Sequence, residues 1–434
     1  MTGKKIISII VVSVFACSMS LSLMSCSQDK PGDSATEDSK QVDLGSDETG
    51  INGLTSIQLT SKIRAGWNLG DTLDSIPDSP PATPEDQETA WGAPVTTKAM
   101  IDEIKAAGFN AVRVPVTWFT FTGDAPDYTL DPAWLDRVQE VADYVITNDM
   151  FCIVDAHYED EEGGWLSFLN IDKNGKETAL TQDQIDVLHD RTAALWSQIA
   201  EKFAGYDEHL IFDCFNEPRT VDSENEWAGG TPEEKEILNS LYQTFVDTIR
   251  DKGGKNYDRH LLCATYAADG YDAIDGYVLP HDPRLDDDKD SRIMVSVHAY
   301  EPYEFTLAPP EDDPVGYFDP ANENDTASVN EMISNITEYF LSKDIAVIIG
   351  ECGAANRTYD LKDDGENNLP DRVAWASFYF SALRGAGVPC CWWDPHDIEL
   401  NTGEGFGLLN RFDTPYSWYW PEIVSSIMEA TECE

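Results

Sequence analysis

Two short strings each end an apolar run on a carboxylate: Phe215-Asn216-Glu217-Pro218 after the run 210–215, and Ile349-Gly350-Glu351-Cys352 after the run 345–349. Cleaving a glycosidic bond takes two carboxyl groups, one to protonate the departing oxygen and one to face the anomeric carbon, and a fold that delivers each from a separate strand end can set them across one cleft. A single glutamate at a strand end is ordinarily a solvated loop charge, because Glu is seldom buried without a partner. Two of them in apolar surroundings reverse that reading.

The elements that must position this pair are legible as an alternation. Short apolar runs at 64–69, 111–116, 151–156, 210–215, 260–265, 293–297, 345–349 and 388–392 read as strands, each bounded by turn residues. Between them lie longer segments with helical periodicity. Met100, Ile101, Ile104 and Ala107 form an apolar face that stops at Gly108. Asp131-Pro132 reads as the cap and first turn of a helix burying Leu135, Val138, Val141, Ala142 and Val145. Thr231-Pro232-Glu233-Glu234 reads as a capping box ahead of Ile237, Leu238, Leu241, Phe245 and Ile249. Eight nearly all-apolar strands alternating with helices predict a parallel (β/α)8 TIM barrel, in which Glu217 and Glu351 project from one rim. Two long connections rich in proline and acidic residues, 71–93 and 301–326, would wall that rim.

Other polar groups follow the same positional rule. Arg113 sits inside a strand, where a cation is costly unless it meets a carboxylate, and Glu351 is the candidate partner. His157 ends the third strand, and His298 and Tyr300 follow the sixth; each lone histidine could equally be a hydrogen-bonded rim residue. No His-x-His, Cys-x-x-Cys or His-x-x-x-His pattern is present, so neither a catalytic metal nor another cofactor is expected. Trp67, Trp91, Trp118, Trp392 and Trp393 fall at or just after strand ends, where flat rings suit pyranose faces, whereas Trp134, Trp196 and Trp375 lie on helix faces and read as packing. Alternation along a strand lets only one of Trp392 and Trp393 point inward, and the sequence leaves open which.

Composition narrows the partners. The 434 residues carry 29 basic and 80 acidic side chains, a net charge of −51, which disfavours nucleic acid and anionic lipid surfaces and suits an uncharged substrate. Residues 1–26 read as a targeting signal: Lys4 and Lys5 precede an apolar run, and Leu23-Met24-Ser25-Cys26 resembles a lipobox, giving an exported protein anchored at the bacterial surface by a lipid on Cys26. An ordinary secretory peptide or an uncleaved anchor are the alternatives. Residues 27–52 are rich in Ser, Asp, Glu and Gly and read as a solvated tether, leaving 53–434 as the catalytic domain. Cys152, Cys214, Cys263, Cys390 and Cys391 sit in apolar runs without regular spacing, as buried small hydrophobes do.

Taken in order, the strings Gly66-Trp67-Asn68-Leu69-Gly70, Glu88-Thr89-Ala90-Trp91-Gly92, Gly108 to Trp118, Asn216-Glu217-Pro218, His298-Ala299-Tyr300, Gly350-Glu351 and Trp392-Trp393-Asp394 resemble glycoside hydrolase family 5, and most closely its subfamily 4 of bacterial endoglucanases and xyloglucanases. The resemblance implies a retaining endo-β-1,4-glucanase acting on cellulose-type or related β-glucans, with Glu217 as acid/base and Glu351 as nucleophile. It places Asn216 at the sugar 2-hydroxyl, Arg113 and Tyr300 against Glu351, and Asn68, Trp91, Trp118, His157, His298 and one of Trp392 and Trp393 around the substrate. The carboxyl groups should stand about 5 to 5.5 Å apart, with the Glu217 pKa raised for its first task. Asp71, Tyr158 and Pro395-His396 depart from the family pattern and bear on which glycan is preferred, so xyloglucanase, lichenase, mannanase and xylanase stand as alternatives. A surface lipoprotein that binds glycan without cutting it is the alternative from another class. A monomer is expected, since a tethered depolymerase on a long polymer needs no second copy.

Overall fold

The computed structural model describes residues 52–161, 163–359 and 365–432; the signal read at 1–26 and all but Asn52 of the tether lie outside these. All eight anticipated strands form: β1 (Gly66–Leu69), β2 (Ala111–Val114), β3 (Phe151–Asp155), β4 (Leu210–Asp213), β5 (Leu261–Ala264), β6 (Ile293–His298), β7 (Val347–Cys352) and β8 (Cys390–Asp394). Each pairs in parallel with its neighbours in sequence, and β8 pairs with β1 to close the (β/α)8 barrel.

Strand alternation sorts the side chains into two environments. Ala111, Ile153, Ile211, Leu262, Met294, Ile348 and Cys391 form an apolar plug with Leu59 of the helix Ser56–Lys62 and with Ile63, which caps it. Two residues further along, the same inward-facing rows carry Asn68, Arg113, Asp155, Asp213 and Ser296, all fully buried. The opposite rows, among them Val112, Val154, Phe212, Val295, Ile349 and Trp392, pack under the helices. The barrel is therefore apolar below and polar above, and the polar layer is the floor of the site.

The helices start and stop where their residues dictate. Thr231 and Glu234 exchange reciprocal backbone bonds at the start of Pro232–Asp251, Asp131 caps Pro132–Ile146, and Gly108 ends Lys98–Ala107 in the left-handed region at φ 110°. One apolar position shifts: Leu135 is only half-buried, while Trp134 on the same helix Pro132–Ile146 is buried, as its place on the helix face implied. The short hairpins Leu169–Ile171 with Glu177–Ala179 and Leu409–Asn410 with Ser417–Trp418 have strands too short for an alternation to announce them.

β7 runs past its anticipated end, so Glu351 is its penultimate residue and not the start of a loop. The ladder slips between Val297 and His298, pairing Val297 with Ile349 but His298 with Glu351. Such a bulge re-aims side chains at a barrel rim, and here the extra residue must be glycine: a Cβ on Gly350 would lie 2.8 Å from His298 Nε2. Cys152, Cys214, Cys263, Cys352, Cys390 and Cys391 are buried free thiols. Among the described residues no helix is long and apolar enough to cross a membrane.

Candidate active site

Arg113 is the hub of the polar layer. Its Nη1 donates to Glu351 Oε1 at 2.8 Å and to Asn68 Oδ1 at 3.1 Å, while Nη2 donates to Asn216 Oδ1 at 2.7 Å and stands 2.7 Å from Asp155 Oδ2. Asp213 lies behind, 3.7 Å from Nε. A cation with no exposure would ordinarily tend to lose its proton, yet Asp155, Glu351 and Asp213 together raise its pKa above that of a free guanidinium. Burial alone would raise Asp155, but Arg113 and His157 hold it below the ordinary carboxylate value. In Asp213 burial prevails over Arg113, and its pKa is pushed up to about 7.

Glu351 is gripped at both oxygens, since the Tyr300 hydroxyl donates to Oε2 at 3.0 Å opposite the Arg113 bond. Glu217 stands across from it on the connection after β4, and His298 Nδ1 lies 2.8 Å from Glu217 Oε1 and 3.6 Å from Glu351 Oε2. Ligating atoms of Glu217, His298 and Glu351 all lie within 4.8 Å of one another. That spacing matches the close pair of a retaining glycosidase and not the ~6.5–9.5 Å of an inverting one. The same three side chains are near enough to hold a cation; His298 Nδ1 and Glu217 Oε1 bond each other, and Arg113 and Tyr300 hold Glu351.

The Glu217 carboxyl departs from the sequence expectation of a raised pKa. Burial pushes it up, but the hydrogen bond and charge of His298, then Arg219 and His157, outweigh burial and hold it below the usual value. In the sequence Glu351 is the legible neighbour of Glu217, whereas His298 and Arg219 reach the same carboxylate only through the fold.

The aromatic residues divide in an informative way. Trp393 is the inward ring of the pair: it is 8% exposed and stacks on His157 at 5.5 Å with the planes 3° apart. Trp392 has no exposure, donates to the Phe406 carbonyl at 2.9 Å and packs edge-on against Trp375. Trp118, anticipated at the substrate, is also fully buried, with its indole N–H on the Asp155 carbonyl at 2.8 Å; Trp67 is buried on Asp394. Trp118 thus presents no face to a ligand. Asn68 is likewise enclosed, its amide nitrogen on the Gly350 carbonyl at 2.9 Å and its oxygen on Arg113, so it braces the floor without reaching the cleft. Trp91 is 37% exposed and meets Tyr158 at 5.7 Å, and Tyr158 meets His157 edge-on at 4.3 Å. A strip of rings thus runs from Trp91 through Tyr158 and His157 to Trp393. Burial works against a charged His157, but Asp155, followed by Asp74 and Glu351, lifts its pKa above the ordinary value.

Asp155 and Asp213 were not singled out from the sequence, although each is a charge inside an apolar strand, the same signal that marked Arg113. Arg219 gave no such signal, because it lies in a loop.

The family model described as Cellulase (glycosyl hydrolase family 5) matches residues 78–397. The chain is 36% identical to Endoglucanase A of Ruminococcus albus over 87% of this chain and 93% of that protein. It is 37% identical to the Cellulase/esterase CelE of Acetivibrio thermocellus over 99% of this chain, and it spans only 48% of the length of that relative. Among solved structures, a GH5-4 broad specificity endoglucanase from Ruminococcus champanellensis with bound cellotriose superposes with a TM-score of 0.75 at 40% identity, covering 86% of this chain and 98% of that one.

Proposed function

The chain belongs to glycosyl hydrolase family 5, and on that premise we propose that it is a retaining endo-β-1,4-glucanase that cuts internal bonds of cellulose-type β-glucans. The observation that carries this reading is the Glu217–His298–Glu351 cluster within 4.8 Å, with Glu351 fixed by Arg113 and Tyr300. Glu351 attacks the anomeric carbon while Glu217 gives its proton to the leaving oxygen; Glu217 then takes a proton from water, which releases the sugar from Glu351 with its original configuration. The first step needs Glu217 protonated, and a sugar that displaces water from the cleft adds to the burial that favours the neutral carboxyl. Asn216, its amide oxygen taken by Arg113, offers its NH2 to the 2-hydroxyl.

A binder would have no use for two opposed carboxylates braced by a buried cation, which favours catalysis over mere glycan capture. The test is Glu351→Gly assayed with an activated aryl cellobioside and azide: we expect a glycosyl azide of inverted configuration. A variant that azide does not rescue overturns the assignment of Glu351, and native protein that releases no reducing sugar from soluble β-glucan overturns the activity.

We further propose that the protein works as a monomer tethered by lipid at the cell surface. The support is the lipobox-like Leu23-Met24-Ser25-Cys26 and the acidic segment after it, and Cys26→Ala should move activity from membranes to the medium.

A further inference from the structure

Arg219 lies two residues beyond Glu217 and is 6% exposed. Its guanidinium is fixed on every side: Nε donates to Glu226 Oε1 at 3.0 Å, Nη1 to Asp160 Oδ2 at 2.9 Å and to the Glu217 carbonyl at 3.1 Å, and Nη2 to Glu161 Oε1 at 2.6 Å. The Trp227 ring covers it at 4.6 Å. Asp160 and Glu161 belong to the connection after β3, and Glu226 and Trp227 to the connection after β4. One side chain thus fastens two rim segments together.

The same Nη1 stands 3.9 Å from Glu217 Oε2. That is beyond hydrogen-bonding distance but within the range at which an opposite charge favours a carboxylate. Other charges and titratable groups around Glu217 come from every packed element: His298 from β6, Glu351 from β7 with Arg113 and Tyr300 on it, His157 after β3, and the carboxylates Asp160, Glu161 and Glu226 beyond Arg219. Without the guanidinium the carboxylates of Glu161 and Glu226 would bias Glu217 toward keeping its proton. A base is needed in the second half of the reaction, when the covalent bond has already removed the Glu351 charge.

We propose that Arg219 is a positioning residue that shields Glu217 from this acidic rim and keeps it ionised for the hydrolysis of the glycosyl-enzyme. The inference rests on the reading of Glu217 as acid/base. Asp160 does not compete at low pH, since burial pushes its carboxyl up to about 7.

The test uses 2,4-dinitrophenyl β-cellobioside, whose leaving group departs without protonation. Its saturated turnover then follows glycosyl-enzyme hydrolysis, and the acid limb of the pH profile reports Glu217. In Arg219→Gln the limb should move to higher pH by about one unit, while Arg219→Lys, which keeps the charge, should leave it in the native position. A folded Arg219→Gln enzyme with the native limb, or a Lys variant displaced as far as the Gln variant, overturns the proposal. Should Arg219→Gln fail to fold because buried Asp160 loses its partner, the double variant with Asp160→Asn must show the same upward shift, and a native limb there overturns it equally. Glu217→Ala separates the two readings: if it retains the limb, the assignment of Glu217 fails and the inference about Arg219 with it, whereas a limb lost in Glu217→Ala but native in Arg219→Gln overturns the inference about Arg219 alone.

Discussion

The Tyr300 hydroxyl donates to Glu351 Oε2 at 3.0 Å, on the oxygen opposite the one held by Arg113. The carboxylate therefore meets a donor at each oxygen and presents one orientation to the cleft. Hydrogen bonds to charged groups contribute about 1.5–3 kcal/mol. Tyr300→Phe should accordingly lower kcat/KM roughly ten- to hundredfold while leaving the melting temperature near native, since the ring keeps its packing on Phe406. Native kinetics in this variant would remove Tyr300 from the mechanism.

Trp392 and Trp393 are adjacent in sequence and opposite in role. Trp393→Ala takes away the ring stacked on His157 and should raise KM and lower kcat on oligosaccharides with a small loss of stability. Trp392→Ala empties a site beneath the helices and should cost about 3–5 kcal/mol in chemical denaturation. Equal stability losses in the two variants would contradict the inward and outward assignment.

Arg113 neutralises a buried acidic layer. Arg113→Gln leaves Asp155, Asp213 and Glu351 without their cation, and breaking a buried pair costs about 3–5 kcal/mol. Urea unfolding should show that loss together with abolished turnover. An unchanged midpoint would mean that the acids take up protons or find other donors.

Stability should depend on pH in two opposed ways. Burial pushes Glu159 up to about 7, so the folded chain keeps a proton that the unfolded chain releases near the ordinary carboxylate value of about 4.3. The native state then binds more protons between those limits, and stability falls as pH rises from about 4 to 7. Asp155 acts in the other direction: burial opposes its charge, but Arg113 and His157 hold its pKa low, so its contribution is present above the unfolded value and is lost as pH falls through the folded one. Asp160 and Asp213, also pushed up to about 7, add to the same decline, so Glu159→Gln should reduce the fall of melting temperature between pH 4 and 7 in part, and an unaltered slope would rule out a contribution from Glu159.

The barrel was legible because its strands are apolar on both faces and its helices carry caps, so Thr231 with Glu234 and Asp131 with Pro132 mark true helix starts. The site was legible wherever a charge interrupts an apolar strand, as at Arg113. Three things were not. The slip that pairs His298 with Glu351 is a property of two strands together, and Gly350 by itself does not say where the partner strand shifts. The enclosure of Trp118 depends on the Asp155 carbonyl from a neighbouring strand. The lowered pKa of Glu217 depends on His298 and Arg219, which arrive from β6 and from a loop. Local pattern specifies elements, and contacts between elements specify ionisation.

The pairing of β1 with β8 ties Gly66 to Cys391 and Leu69 to Asp394, and Asn68 on β1 bonds to main-chain oxygens of β7 and β8 while bracing Arg113. The floor of the cleft is thus bolted shut by the last barrel strand to be synthesised. A chain leaving the ribosome has no working site until residue 394 of its 434 has emerged, so translation products truncated before that point should be inert, however many of their helices have formed.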